Sequence, residues 1–245
     1  MTGQVLKWLA VISMVLDHIG IVCIGPLLES LPDLSLSSLY YGAENGSGQQ
    51  AFLCWAAFIL RAIGRLAFPI FCFLLTEGFR HTRNLKNYIG RMTLFALIAE
   101  IPFDLAIYGS FWYPESQNVF FTLLIGLFVL YGFQKIDQNC IGIDLTFLLK
   151  ILVVSGGCAA AFCFKTDYDI YGILFIALLF LLRDDRQKQV FFGILMAMLE
   201  YTAVFAFIPI WFYNGKPGTR RFRYFFYWFY PVHLLVLWGI QRGVV

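Results

Sequence analysis

An all-α, polytopic bundle of about eight membrane-spanning helices is the fold this sequence predicts, and three observations predict it. Hydrophobic residues make up 60% of the chain and charged residues 13%, with a mean hydropathy of +0.74; soluble domains hold roughly 45–50% and about 25%. The apolar residues gather into runs near the ~20 residues that cross a bilayer as one helix. The 27 Phe and 13 Tyr exceed what a soluble core of this length hides, so aromatic stretches face lipid or neighbouring helices.

The first run covers about 5–28. It begins at the N-terminus, is longer than a signal-peptide core and lacks a small-residue cleavage pattern, so it is read as a retained helix. Further runs follow at about 52–79, 92–109, 118–134, 145–164, 169–182, 189–212 and 222–241. The sixth is short enough to be tilted, half-inserted or fused with a neighbour, which leaves the count between seven and nine. No internal repeat divides the chain, and 1–245 reads as one transmembrane domain. The six cysteines (Cys23, Cys54, Cys72, Cys140, Cys158, Cys163) form no C-x-x-C pair or Cys/His cluster and read as small core residues. A net charge of +3 without a dense basic stripe gives no sign of a nucleic-acid partner.

Orientation follows from short basic loops, which stay in the cytoplasm. Arg80, Arg83, Lys86 and Arg91 lie between the second and third runs, whereas the loop at about 29–51 carries Glu29, Asp33 and Glu44 and no Lys or Arg. The N-terminus with Lys7 is therefore expected inside, as are Lys135, Arg183, Arg186 and Lys188. Lys216, Arg220, Arg221 and Arg223 disobey: eight full crossings would put them outside. Either the sixth or the seventh run is not a full crossing, or these cations have a function.

Ionisable residues converge in depth. Asp17 and His18 lie near the middle of the first run, Arg61 and Arg65 of the second, Glu100 of the third with Asp104 one turn further out, and His233 of the last. A charge at a helix centre costs roughly 2.5–3.5 kcal/mol on insertion scales, so such groups turn inward and mark function. Arg61/Arg65 and Glu100/Asp104 are i,i+4 pairs, each a stripe on its helix, and a basic stripe facing an acidic one is one arrangement. Mutual neutralisation that locks helices together is the other. His18 and His233 at matching depth beside Asp17 favour proton chemistry. Pro69, Pro102 and Pro231 each free a carbonyl one turn back, of Arg65, Ile98 and Tyr227. The run from Tyr224 to Pro231 reads in part as an aromatic belt.

The segments MVLDHIG (14–20), RAIGRLAFPIFCFLLTEGF (61–79), AEIPFD (99–104), FYNGKPG (212–218) and YWFYPVHLL (227–235) resemble the TraX family. That family takes its name from a conjugative-plasmid membrane protein that acetylates the N-terminus of F-type pilin, and it looks related to the larger group of transmembrane acyltransferases. The resemblance spans about 200 residues. It implies acyl transfer from acetyl-CoA or another acyl-CoA on the cytoplasmic side of an inner or plasma membrane. The acceptor would be an amine or hydroxyl of a pilin-like peptide, glycan, lipid or small molecule.

On that resemblance His18 is the expected general base, with Asp17 orienting it or stabilising the imidazolium, and Arg65, with Arg61 as a second candidate, steadies charge on the thioester oxygen. Glu100 and Asp104 hold the arginines, and His233 is a second proton carrier or a hydrogen bond to the acceptor. Arg61, Arg80, Arg83, Lys86 and Arg91 are expected at the CoA donor. Asp104, Tyr213, Asn214 and Tyr230 are expected at the acceptor. No Walker, Rossmann or zinc pattern occurs, so ATP, NAD and metal are not implied. Two rival classes remain: a transporter that relays ions or protons through the same charges, and a non-enzymatic membrane assembly protein.

Overall fold

The computed structural model describes residues 1–29, 48–139, 142–218 and 223–244. Asp33, Glu44, Cys140, Arg220 and Arg221 lie outside the described residues, as do the side chains of Glu29 and Arg223. Among the described residues the regular structure is helical, with one isolated bridge between Gln117 and Thr166, in keeping with an all-α membrane bundle.

Helix α1 (Gly3–His18) is capped by the Thr2 hydroxyl and widens at His18 into a π-helical stretch (Ile19–Ile24), then a short helix (Gly25–Glu29). α2 (Gly48–Gly64) and α3 (Ala67–His81) are the halves of one rod broken at Arg65 and Leu66. Pro69 supplies no amide for the Arg65 carbonyl, and the Leu66 amide bonds Ile63 instead of Ala62. A Cβ added at Gly64 would overlap the Asp17 carboxylate, so glycine lets α1 pass this close to the break. α4 (Leu85–Tyr108) starts on an Asn84 cap and ends at Gly109 with φ +66°. α5 (Val119–Gln138), α6 (Ile143–Cys163) and the short α7 (Asp169–Leu181) follow.

The seventh apolar run departs from the expectation of eight crossings. It comprises α8 (Arg186–Ala197), a 3-10 stretch (Met198–Ala206) and α9 (Phe207–Trp211). The run is long and apolar enough to cross a membrane, but it folds back. Its backbone turns at Glu200 and Tyr201, the latter at φ 50°, ψ −95°. A Cβ on Gly193 would overlap the Phe207 ring, so α8 and α9 pack side by side. At the ends, the Arg186 guanidinium sits 5.5 Å from the Tyr213 ring. The strand of chain after α9 then ties to the N-terminus: Asn214 donates to the Met1 carbonyl (2.9 Å) and Gly3 to that of Lys216 (2.8 Å). Both ends of this hairpin lie on the Met1 face, which removes the conflict over Lys216. α10 (Arg223–Val244) starts on the same face, where Trp8 meets Phe225 and Phe226.

On the opposite face the loops 109–118 and 164–168 are stitched together. Gln117 donates to the Lys165 carbonyl and Asp167 to that of Gln117, each at 2.9 Å, and Lys165 pairs with Glu115. α6 packs one side only and leaves Phe147, Leu148 and Leu152 outward, as a lipid-facing helix does.

Candidate active site

At its last α-helical turn α1 meets the break between α2 and α3. Arg61 donates to Asp17 Oδ2 at 2.8 Å, and Arg65 to Glu200 Oε2 at 2.8 Å. The hairpin tip is held there by Thr202, whose hydroxyl donates to the Ala62 carbonyl at 2.6 Å, the acceptor the break had left open. These pairs line a recess of about 280 Å³, which also takes in His18, Tyr108, the loop residues Asp167 and Tyr168, and Asp169 at the start of α7. Tyr168 stacks on Phe68 with centroids 3.4 Å apart. Asp17 Oδ1 and Asp169 Oδ1 have no hydrogen-bond partner among the described residues.

Asp167 lies in a loop outside the spans. Desolvation by the protein around it and the charge of Asp17 push its carboxyl up to about 6, against the pull of Arg65 and Arg61. The side chain is exposed at the recess, and solvent there moderates the shift.

His18 and His233 meet deep in the bundle, with His233 Nε2 3.1 Å from His18 Nδ1. His233 Nδ1 lies 2.9 Å from the Phe229 carbonyl. A carbonyl only accepts, so Nδ1 of His233 carries its proton and Nε2 its lone pair. Nδ1 of His18 is then the donor between the rings. His18 keeps a basic Nε2, and His18 lines the recess.

A second cavity, of about 510 Å³, opens on the Met1 face. Lys7, His81, Arg83 and Arg91 stand near its mouth, and Met14, Phe120 and Tyr230 at its inner end. The Nε of Arg91 is buried without a hydrogen-bond partner among the described residues.

The structure thus gathers Asp17, His18, Arg61 and Arg65 in one recess, His233 directly behind it, and Arg83, Arg91 and Tyr230 in the other cavity. Several expectations need correction. Glu100 and Asp104 do not hold the arginines; the Asn118 amide and side chain donate to Glu100, and the Tyr113 amide to Asp104 at 2.9 Å. α4 turns these acids toward the 109–118 loop, because the arginines already have partners in α1 and the hairpin. Neither Glu100 nor Asp104 is among the residues that line the recess or the Met1-face cavity. Asp17 pairs through Oδ2 with Arg61, and the side chain that hydrogen-bonds the His18 ring is His233.

Arg61, expected at the donor, lines the opposite recess, while Arg80 and Lys86 are exposed outside the Met1-face cavity. Tyr213 and Asn214 are ties rather than cavity residues: Tyr213 packs on Phe73 and Arg186, and Asn214 bonds Met1 and Lys216. Glu200 is not among the residues expected from sequence, yet it sits at the centre of the seventh run, where the same depth rule applies. Asp167 and Tyr168 leave no such mark, because a loop carries no depth signal, and Asp169 stands at the very end of its run.

No solved structure matches the chain. In sequence it is similar to "Probable fimbrial assembly protein FimC, serogroup H1" of Dichelobacter nodosus, 30% identical over 261 residues, covering 95% of this chain and 92% of the relative. The profile of the family described as TraX protein matches residues 2–241. That stretch takes in both cavities, the histidine pair between them and nearly every helix described above, and the chain belongs to the TraX family.

Proposed function

We propose that this protein is an integral membrane acyltransferase. It takes an acetyl group from acetyl-CoA, or the acyl group of another acyl-CoA, at the Met1 face and passes it to an amine or hydroxyl entering from the opposite face. The observation that carries the reading is the histidine pair seated between a cation-mouthed aromatic cavity and a charged recess. CoA is anionic and cytosolic, so the Met1 face is the cytoplasmic face of the cell membrane, in keeping with the basic residues collected there.

The donor's phosphates meet Arg83, Arg91 and Lys7, with the unpartnered Arg91 Nε supplying a free N–H. The acceptor approaches through the recess. Nε2 of His18 takes its proton as the nucleophile adds to the thioester carbonyl carbon. His233 accepts from His18 Nδ1 and shares the charge of the resulting imidazolium. Electrons pushed onto the carbonyl oxygen are stabilised by Arg65 and Arg61, which Glu200 and Asp17 hold in place. Collapse of the adduct breaks the C–S bond, and the CoA thiolate recovers the proton from His18.

The name of the Dichelobacter relative supports a pilin-like peptide as acceptor; glycans, lipids and small molecules fit the same chemistry. That name also favours a second reading, an assembly factor without catalysis. The transporter reading has less support, because the cavities end on opposite sides of packed rings.

Calorimetric titration of acetyl-CoA into detergent-purified wild type, Arg91→Ala and His18→Ala tests the proposal, together with transfer of labelled acetyl to membrane and peptide material. Saturable binding that weakens in Arg91→Ala, with transfer lost and binding kept in His18→Ala, is expected. A well-folded wild type that binds no acyl-CoA and transfers no label favours the assembly factor.

A further inference from the structure

The two cavities approach each other at one side chain. Tyr230 lines the Met1-face cavity but not the recess, whereas His18 lines the recess but not that cavity. Their ring centroids are 5.9 Å apart in an edge contact. Tyr230 also packs on His233 at 5.6 Å and on Phe120 at 5.0 Å. Only 3% of it is exposed. Pro231 follows it, so the helix backbone here lacks one amide donor.

We propose that the ring of Tyr230 is the partition between the donor cavity and the recess, and that it determines which acyl groups and which nucleophiles reach the histidine pair. This rests on the donor reading of the Met1-face cavity. An acetyl thioester ends at the ring, beside His18; a longer chain has no space beyond it until the ring is removed. The ring leaves the thioester carbonyl open at its His18 edge alone, where the acceptor and the arginines reach it, and shields it elsewhere from recess water. Without it, the oxygen of a water molecule adds to the carbonyl carbon, the C–S bond breaks, and sulfur leaves with the proton. Acetate and CoA are released, and no acceptor is consumed.

The test needs no acceptor. Purified wild type, Tyr230→Ala, Tyr230→Leu and Tyr230→Phe are incubated with acetyl-CoA or hexanoyl-CoA, free thiol is followed, and acyl-CoA affinity and thermal unfolding are measured for each. Tyr230→Ala is expected to release CoA about tenfold faster than wild type or more, since water exclusion is what suppresses hydrolysis. Its preference for hexanoyl-CoA over acetyl-CoA should rise by about tenfold, the lower end of what added methylenes are worth in an apolar pocket. Tyr230→Leu falls between, and covers the case in which the alanine variant does not fold. Tyr230→Phe restores the barrier. Folded Ala and Leu variants that bind acetyl-CoA yet show wild-type thiol release and acyl preference overturn the partition and leave the donor reading intact. A wild type that binds no acyl-CoA overturns both.

Discussion

Two regions of the bundle hold the same ingredients, a pair of carboxylates brought to helix depth, and use them differently. In the recess, Asp17 and Glu200 each meet an arginine from the α2–α3 rod. The arginine side chains stay 34% exposed there, so the charges remain in contact with whatever enters. Beneath the 109–118 loop, Glu100 is 8% exposed and Asp104 1%, and their partners are amides of the loop itself. The first pair can act on a ligand. The second clamps a loop, and through Gln117, Lys165 and Asp167 it holds the recess wall from a distance. A carboxylate at depth announces that it needs a partner, and the kind of partner decides between chemistry and architecture.

The sharpest way to break this comparison is to remove the base that the recess serves. His18→Ala should lower acetyl transfer by roughly 10²–10⁴-fold, the usual worth of a positioned general base, with acetyl-CoA affinity close to wild type and only the modest drop in unfolding temperature that one lost buried hydrogen bond brings. Transfer that survives the substitution would return the pair to a purely packing role.

The next contrast sets Glu100→Ala against Glu200→Gln. Glu100→Ala leaves the Asn118 amide and side-chain N–H groups buried beside an empty acceptor, at a cost of about 1–3 kcal/mol. Its damage should appear as a lower unfolding temperature. Glu200→Gln keeps an acceptor for Arg65 and should unfold near wild type while transferring more slowly. The reverse pattern would exchange the roles given to the two regions.

A double-mutant cycle sharpens the same point on a smaller scale. Arg65 and Glu200 should couple by about 0.5–3 kcal/mol in unfolding, as groups of one ion pair do, whereas Arg65 and Glu100 should add independently. Coupling between Arg65 and Glu100 would revive the facing stripes that the i,i+4 spacings suggest.

Those stripes mark where sequence reasoning ends. Seven apolar runs appear as helices, or near-continuous helical rods, close to their expected bounds, because a run of ~20 apolar residues has few other uses. The hairpin was not legible from length, yet the cations at 216–223 sat on the wrong face for eight crossings, and a chain that turns back at Glu200 is the cause. The depth match of His18 and His233 was legible and brings their nitrogens to 3.1 Å. Which acid meets Arg65 was not, since spacing along one helix says nothing about which helix stands beside it. Asp167 was the least legible, being delivered by a loop that dips to the recess.

That loop gives the mildest of the predictions. Asp167 is raised to about 6, so the folded protein holds its proton more tightly than the unfolded chain does. The sign follows: its contribution to stability is full at low pH, declines as pH rises from the ordinary carboxylate range through about 6, and is level above. Asp167→Asn should therefore match wild type in acid and unfold at a slightly higher temperature near neutrality, with exposure to the recess keeping the difference small. The same change removes an anionic group from the recess above that pH, so an inflection near 6 in acetyl transfer should be present in wild type and absent from Asp167→Asn. If the inflection persists in the variant, the titrating group lies elsewhere, and the loop serves only to close the wall that Glu100 and Asp104 support.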